Sequence, residues 1–113
     1  VLFRSVDRHS WHLMGRDEAG VLQAYLRVVD PGVKYAEPSI GRVLTTAAGR
    51  GTGLGRELMQ RAVAYTVAAF PGQGIRISAQ SHLEVFYQSI GFAIVGERYL
   101  EDDIPHTEML RPG

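Results

Sequence analysis

Hydrophobic and polar residues alternate along one segment of the chain, residues 21–29. Apolar side chains occupy every even position from Leu22 to Val28, whereas Gln23 and Arg27 lie at odd positions between them. Because the side chains of a strand point alternately to its two faces, this pattern predicts a strand that turns one face to the core.

Two further strands are predicted on either side of this segment. Residues 11–14 form a short apolar run, and a polar turn that ends at Gly20 connects it to the alternating segment, which predicts a hairpin. A loop begins at Asp30-Pro31-Gly32, and residues 39–46 after it again have the composition of a strand.

The spacing of apolar residues changes to three and four between Gly53 and Phe70, which predicts an amphipathic helix. The residues predicted to face the core are Leu54, Leu58, Ala62, Tyr65 and Ala69. Pro71-Gly72 ends the helix.

The second half of the chain predicts a strand, a short helix and two strands, over residues 75–79, 81–90, 92–99 and 106–110. Ser81 and Glu84 have the spacing of a capping box at the start of the short helix, and Gly91 follows it as a left-handed cap. An acidic turn, residues 101–105, connects the last two strands.

This order of elements predicts an α/β (α+β) domain. The hairpins at both ends imply antiparallel strand pairs, and the strand–helix–strand crossover in the middle implies a locally parallel pair. We therefore expect a mixed, mostly antiparallel central sheet with helices packed on it and the parallel pair beside the glycine-rich turn described below.

Composition narrows the range of partners. The chain has 113 residues, enough for one domain, and its formal net charge is zero, so we expect neither nucleic acid nor a membrane surface as a partner. The absence of cysteine excludes disulfides and thiolate metal ligands, and fits the cytoplasmic location that we expect. The four histidines show no metal-ligand spacing, so we expect no metal.

The chemistry is concentrated in a glycine-rich turn between the third strand and the long helix, Arg50-Gly51-Thr52-Gly53-Leu54-Gly55-Arg56. Glycines at alternate positions let the backbone curl so that its N–H groups converge, and the helix that follows adds the positive end of its dipole. The turn therefore predicts a site for phosphate oxygens, in particular a pyrophosphate. A simple helix-capping glycine turn is the alternative.

Other phosphate-binding motifs do not fit this turn. The dinucleotide fingerprint Gly-x-Gly-x-x-Gly, started at Gly51, requires a glycine where Arg56 stands, and the Gly-Lys-Ser/Thr of a P-loop does not occur.

Two motifs in this order resemble those of the GCN5-related N-acetyltransferases, the GNAT family. Arg50, Gly53 and Gly55 match the fixed positions of its acetyl-CoA signature, Arg-x-x-Gly-x-Gly, and residues 86–92 resemble its second motif, aromatic-Tyr-x-x-x-Gly-Phe. Residues 79–82 and 101–106 resemble the ElaA-like branch. The similarity covers about residues 7–110.

The resemblance implies an N-acetyltransferase that moves an acetyl group from acetyl-CoA, its co-substrate, to a primary amine by direct attack. The acceptor would be a small-molecule amine or a peptide N-terminus. A homodimer is expected on other grounds, because the family's first strand is missing here and an open sheet edge or an exposed apolar patch in its place would favour self-association. A non-catalytic acyl-CoA-binding or structural remnant of such a domain is the alternative function.

The resemblance also assigns roles to individual residues. Tyr87 would be the general acid, with a core tyrosine as the alternative, and His106 would be a base, with a structural histidine as the alternative. Gln80 would contact the pantetheine amide. The residues that would hold the cofactor through the backbone are Val43, Leu44 and Thr45 for the pantetheine arm, and Arg50, Gly51, Thr52, Gly53, Leu54, Gly55 and Arg56 for the pyrophosphate.

The sequence differs from the family pattern at the start of the chain. Family members have a further strand and helices before the hairpin predicted here, so we expect a GNAT-like fold that lacks them, with residues 7–113 as a partial domain. We expect residues 1–6 to be a non-native or disordered start.

Overall fold

Two antiparallel sheets and two helices make up the part of the chain that the computed structural model describes, which is residues 2–4, 10–16, 18–45 and 53–113. The first sheet contains β1 to β4, namely Leu2–Arg4, Ser10–Arg16, Leu22–Val29 and Ser39–Thr45. The second contains β5, β6 and β7, namely Ile75–Gln80, Ala93–Glu101 and Ile104–Arg111. Helix α1 is Leu54–Ala69, and helix α2 is Glu84–Gln88, preceded by a 3-10 turn at Ser81–Leu83.

The strand orders are β1-β2-β3-β4 in the first sheet and β5-β7-β6 in the second, and all these pairs are antiparallel. The predicted first hairpin is confirmed, with Leu13 opposite Leu26. Strand β1 lies inside the segment 1–6 and pairs with β2, Leu2 opposite Leu13. That these first residues are non-native stays a prediction.

The predicted parallel pair between β4 and β5 is wrong for the residues that the structure describes. The two strands are neighbours, but they share no ladder, and the hydrogen bond from the Arg76 N–H to the Pro38 carbonyl, at 3.0 Å, lies beside their starts. Between Tyr25 and Arg27 the register of β3 with β4 shifts by one residue, and Arg42 has a positive φ of 54°. Such a bulge bends its strand, so β4 separates from β5 instead of pairing with it.

The core forms between α1 and one face of the first sheet. Ala24, Leu26 and Val28 are at most 2% exposed, so the predicted apolar face of β3 is the buried one. The buried side chains of α1 are Leu58, Met59, Ala62, Val63 and Thr66. The predicted helix stripe was therefore partly wrong, because Ala69 is exposed and the buried stripe lies over Met59, Val63 and Thr66 instead.

The predicted capping box at Ser81 is also wrong. Neither the 3-10 turn nor α2 has a side-chain cap, and the Ser81 hydroxyl lies 2.8 Å from Thr107 Oγ1. The Glu84 carboxylate binds Arg98 instead of the backbone. A charged partner on a neighbouring strand competes successfully with a local cap, because charge-assisted hydrogen bonds are stronger than neutral ones.

The turn between β6 and β7 is tighter than predicted. Asp102 and Asp103 alone form it, with positive φ values of 52° and 62°. Two consecutive left-handed residues make the tight hairpin turn that Asp tolerates better than most residues. As a result, Glu101 lies opposite Ile104, and Tyr99 lies opposite His106.

Two absences apply to this described part of the chain. Neither of its helices is long and apolar enough to cross a bilayer. Its His, Asp and Glu side chains nowhere gather in a group of three or more that could hold a metal ion.

Candidate active site

A cavity of about 520 Å³ lies where β4 and β5 separate. Residues of both strands, of α2 and of the β6–β7 turn line it. Five residues singled out from the sequence lie in this lining, namely Val43, Leu44, Gln80, Tyr87 and His106. The fold thus brings together residues that are far apart in the chain, from an edge of each sheet and from the short helix between β5 and β6.

The β4 wall of the cavity follows directly after the bulge at Arg42. Val43 is half-buried there, and Leu44 is exposed to 64%. Thr45 lies at the end of the strand and outside this lining, beside the first turn of α1. A Cβ added to Gly55 would lie 3.2 Å from the Thr45 hydroxyl oxygen, so Gly55 allows the helix to approach the end of β4 closely.

Tyr87 projects from α2 and is only 6% exposed. Its ring makes edge-to-face contacts with Phe86 and Phe92, at centroid distances of 5.2 and 6.0 Å. Burial raises the pKa of the Tyr87 phenol above its usual value of 10.0, so the phenol keeps its proton at neutral pH. The ring packs in the core and also lines the cavity, which fits both the predicted acid and the core-tyrosine alternative.

His106 lies near the start of β7, and its side chain is 10% exposed. Its Nδ1 is 2.8 Å from the Ile104 carbonyl oxygen, which can only accept a hydrogen bond, so Nδ1 carries a proton. The Nε2 atom lies 3.4 Å from Glu101 Oε2. A carboxylate oxygen can only accept, so this contact is an ion pair when the imidazole is doubly protonated. In a neutral imidazole with the proton on Nδ1, Nε2 has the lone pair that a base requires.

Gln80 ends β5 and lies opposite His106 in the ladder with β7. Its side chain is exposed and contributes to the cavity lining, next to the point where the chain turns into α2. An amide at this position has both a donor and an acceptor to offer to a bound molecule.

Part of the glycine-rich turn, Arg50, Gly51 and Thr52, lies outside the described residues. Gly53 caps α1 with φ 82°, and its carbonyl accepts the hydrogen bond of the Glu57 N–H at 3.0 Å. An α-helix contains no acceptors for the N–H groups of its first turn, which here include those of Gly55 and Arg56. Among the described residues, no atom lies within 4 Å of a Cβ added to Gly53.

The Arg56 side chain does not extend freely from this turn. Its Nη1 donates to the Ser89 hydroxyl at 3.0 Å, and its guanidinium lies 5.1 Å from the centre of the Phe86 ring. Arg56 therefore connects the first turn of α1 to the end of α2. The phosphate contact predicted for this residue would be made by its backbone N–H.

Most of the chain matches one protein family. Residues 10–111 match the family described as an acetyltransferase (GNAT) domain. The chain belongs to the GNAT acetyltransferase family. The resemblance inferred from Arg50, Gly53, Gly55 and residues 86–92 is confirmed.

Relatives place this GNAT domain in the ElaA-like branch. It is 42% identical over 105 residues to the UPF0039 protein sll0451 of Synechocystis, covering 93% of the chain and 68% of that protein. It superposes with a TM-score of 0.82 on the crystal structure of Escherichia coli ElaA, at 35% identity over 90% of the chain and 68% of ElaA. An acyl-CoA N-acyltransferase from Pseudomonas aeruginosa gives the same TM-score and coverage at 44% identity. The chain thus spans about two thirds of the length of these relatives.

Sequence reasoning missed two ion-pair networks of this GNAT domain. Arg76 of β5 forms two bonds to Glu37, at 2.9 and 3.0 Å, and one to Glu108, at 2.7 Å. The hydrogen bonds from Arg76 hold the pKa of Glu37 below its usual value. No pattern in the sequence signals a pair between residues so far apart, because only the contact of β5 with the loop before β4 brings them together.

The second network connects α2 to β6 and β7. Arg98 donates to both oxygens of Glu84, at 2.7 and 3.0 Å, and the buried Thr107 hydroxyl donates to the same carboxylate. The hydrogen bonds from Arg98, and then from Thr107, hold the pKa of Glu84 below its usual value. Since Thr107 follows His106 and Glu84 lies on the helix of Tyr87, this carboxylate joins the two elements that carry the candidate acid and base.

Proposed function

We propose that this GNAT domain transfers an acetyl group from acetyl-CoA to a primary amine by direct attack. The observation that supports this most is the cavity where β4 and β5 separate, because both Tyr87 and His106 line it. The family relationship supports acyl-CoA as the donor substrate.

Binding of acetyl-CoA would use the backbone more than side chains. A bulge leaves one residue out of the ladder, so β4 near Val43 has backbone groups to offer to the pantetheine arm and to the acetyl carbonyl. The first turn of α1 would hold the pyrophosphate through N–H groups that have no acceptor inside the helix, with the helix dipole adding to the attraction.

The chemistry needs three groups. The amine nitrogen attacks the thioester carbonyl carbon and forms the C–N bond, and negative charge collects on the carbonyl oxygen, where a backbone N–H of β4 would stabilise it. The C–S bond then breaks, and the departing sulfur takes a proton from the Tyr87 phenol. The proton that the amine must lose passes to Nε2 of His106, which the Nδ1 bond to Ile104 keeps in the basic tautomer.

Titration calorimetry with acetyl-CoA, followed by measurement of free thiol release over a panel of primary amines, tests this proposal. We expect saturable binding, and thiol release that depends on the amine. Binding without turnover for any amine would favour the non-catalytic acyl-CoA-binding alternative, and absence of binding would refute both.

A further inference from the structure

Two groups of oppositely charged side chains line the cavity. Arg27 of β3, Lys34 of the following loop and Arg42 of the β4 bulge line the side formed by the first sheet. Glu101 and Asp102 of the β6–β7 turn line the other side, together with His106.

The three cations on the first side have no carboxylate partners within the described residues. The carboxylates of Glu37 and Glu108 are already paired with Arg76. In the described part of the chain, the contact given by Lys34 is a cation–π one, its Nζ lying 5.4 Å from the centre of the Tyr35 ring.

Among these cations, Arg27 has a buried donor atom. Its Nε is buried, and within the described residues it has no hydrogen-bond partner. A buried donor without a partner costs free energy, and native structures rarely leave one unsatisfied. Arg27 also lines the cavity, so the outer nitrogens of its guanidinium can donate hydrogen bonds to a bound acceptor there, whereas the covered Nε cannot be reached from the cavity.

The second side suits a primary amine. Glu101 Oε2 and His106 Nε2 lie 3.4 Å apart, so a carboxylate that attracts an ammonium group stands beside a base that can deprotonate it. Asp102 adds a second negative charge to this end of the cavity.

From these two sides we infer that the acceptor is zwitterionic, a primary amine that carries a carboxylate on the same molecule. The amine would lie at Glu101 and His106, and the carboxylate would accept hydrogen bonds from Arg27 with Lys34 beside it. A diamine would direct its second positive charge at three cations, and an alkylamine would offer the Arg27 guanidinium no acceptor. This inference rests on the proposed function and narrows its acceptor.

Three acceptors of equal chain length test the inference: 5-aminopentanoate, 1-aminopentane and 1,5-diaminopentane. We expect kcat/KM for acetylation of 5-aminopentanoate to exceed that of both others by about tenfold or more, because hydrogen bonds between charged groups are the strong ones. Shorter and longer ω-amino acids then measure the span between the two sides. Equal values for the three acceptors, or a preference for the diamine, would overturn the inference while leaving the acetyltransferase intact.

Arginine variants locate the carboxylate. Arg27→Gln should remove most of the preference for 5-aminopentanoate over 1-aminopentane, and Lys34→Gln, on an exposed loop, should reduce it without risk to folding. The matched control is Arg61→Gln, since Arg61 is 70% exposed on α1 and pairs with Glu57. Loss of preference in the control, or its retention in both cavity variants, would contradict the assignment.

A binding measurement keeps the inference testable if no amine is acetylated. In nitrogen-15-labelled protein without acetyl-CoA, 5-aminopentanoate should shift the side-chain Nε–H signal of Arg27 saturably, whereas 1-aminopentane should not. An unchanged signal would refute the zwitterion site, whatever the outcome for catalysis.

Discussion

Replacing Gly53 by alanine separates the two roles that this glycine has in the structure. Gly53 has φ 82°, and an added Cβ meets no atom of the described residues within 4 Å, so we expect alanine to strain only the backbone. A left-handed residue with a Cβ costs roughly 1–2 kcal/mol. For a domain of this size, that loss lowers Tm by about 4 °C for each kcal/mol.

Gly72 provides a matched control for this variant. It has φ 80°, also has open space around its Cβ position, and lies in the turn after α1, at the opposite end of the helix. Gly53→Ala and Gly72→Ala should therefore lose similar stability in thermal unfolding followed by circular dichroism. They should differ in acetyl-CoA affinity measured by calorimetry, because only Gly53 precedes the N–H groups that would face the pyrophosphate.

The comparison has two refuting results. If both variants bind acetyl-CoA as tightly as the parent chain, the phosphate does not approach the backbone at Gly53, and the turn is a helix cap only. If Gly53→Ala has a much lower Tm than Gly72→Ala, backbone strain alone does not explain the loss of stability at Gly53.

Three further predictions concern the acid, the core and the pH dependence. Tyr87→Phe should lower kcat of acetyl transfer and leave acetyl-CoA affinity nearly unchanged, while Tyr65→Phe, whose ring packs on Trp11 5.3 Å away, should change neither; a large loss of affinity would make Tyr87 a packing residue. Leu26→Ala should reduce the free energy of unfolding in urea by about 2–5 kcal/mol, because Leu26 is fully buried under α1; a loss under about 1 kcal/mol would contradict that packing. Because its bonds to Arg98 lower the folded-state pKa of Glu84, its contribution is complete above its unfolded pKa of 4.5 and is lost as the pH falls through the lower, folded value. The urea midpoint should therefore fall less steeply below pH 4.5 in Arg98→Gln than in the parent chain, and parallel curves would refute this.

Local patterns identified most of the elements correctly. The alternation from Leu22 to Val28 predicted a half-buried strand, and the residues from Ala24 to Val28 on its apolar face are the ones buried under α1. The helix from Gly53 was predicted with bounds close to Leu54–Ala69, because a positive-φ glycine and a Pro-Gly pair limit it at either end. The error concerned which face of that helix is buried: tertiary contacts bury Met59 and Thr66, which the pattern had not included, and leave Ala69 exposed.

Features that depend on two distant segments could not be predicted in this way. The crossover rule implied a parallel pair of β4 and β5, but one inserted residue at Arg42 bends β4 away and opens the cavity there instead. The spacing of Ser81 and Glu84 implied a local cap, but Arg98 arrives from β6 and offers the carboxylate a stronger partner. The predicted roles of Tyr87, His106 and the glycine-rich turn stay predictions that the experiments above address.

The sequence by itself determined the family, the order of the strands and helices, and the residue types at the candidate site, because these depend on motifs and on periodicity within short segments. Only the tertiary structure decided that Gln80, Tyr87 and His106 line one cavity and that Arg27 lies in its wall, its Nε making no hydrogen bond to the described residues. Such relations depend on register shifts, bulges and the pairing of charges between distant strands. One residue inserted into or removed from a strand changes the register and the side-chain contacts. The local hydrophobic pattern does not reveal such a change.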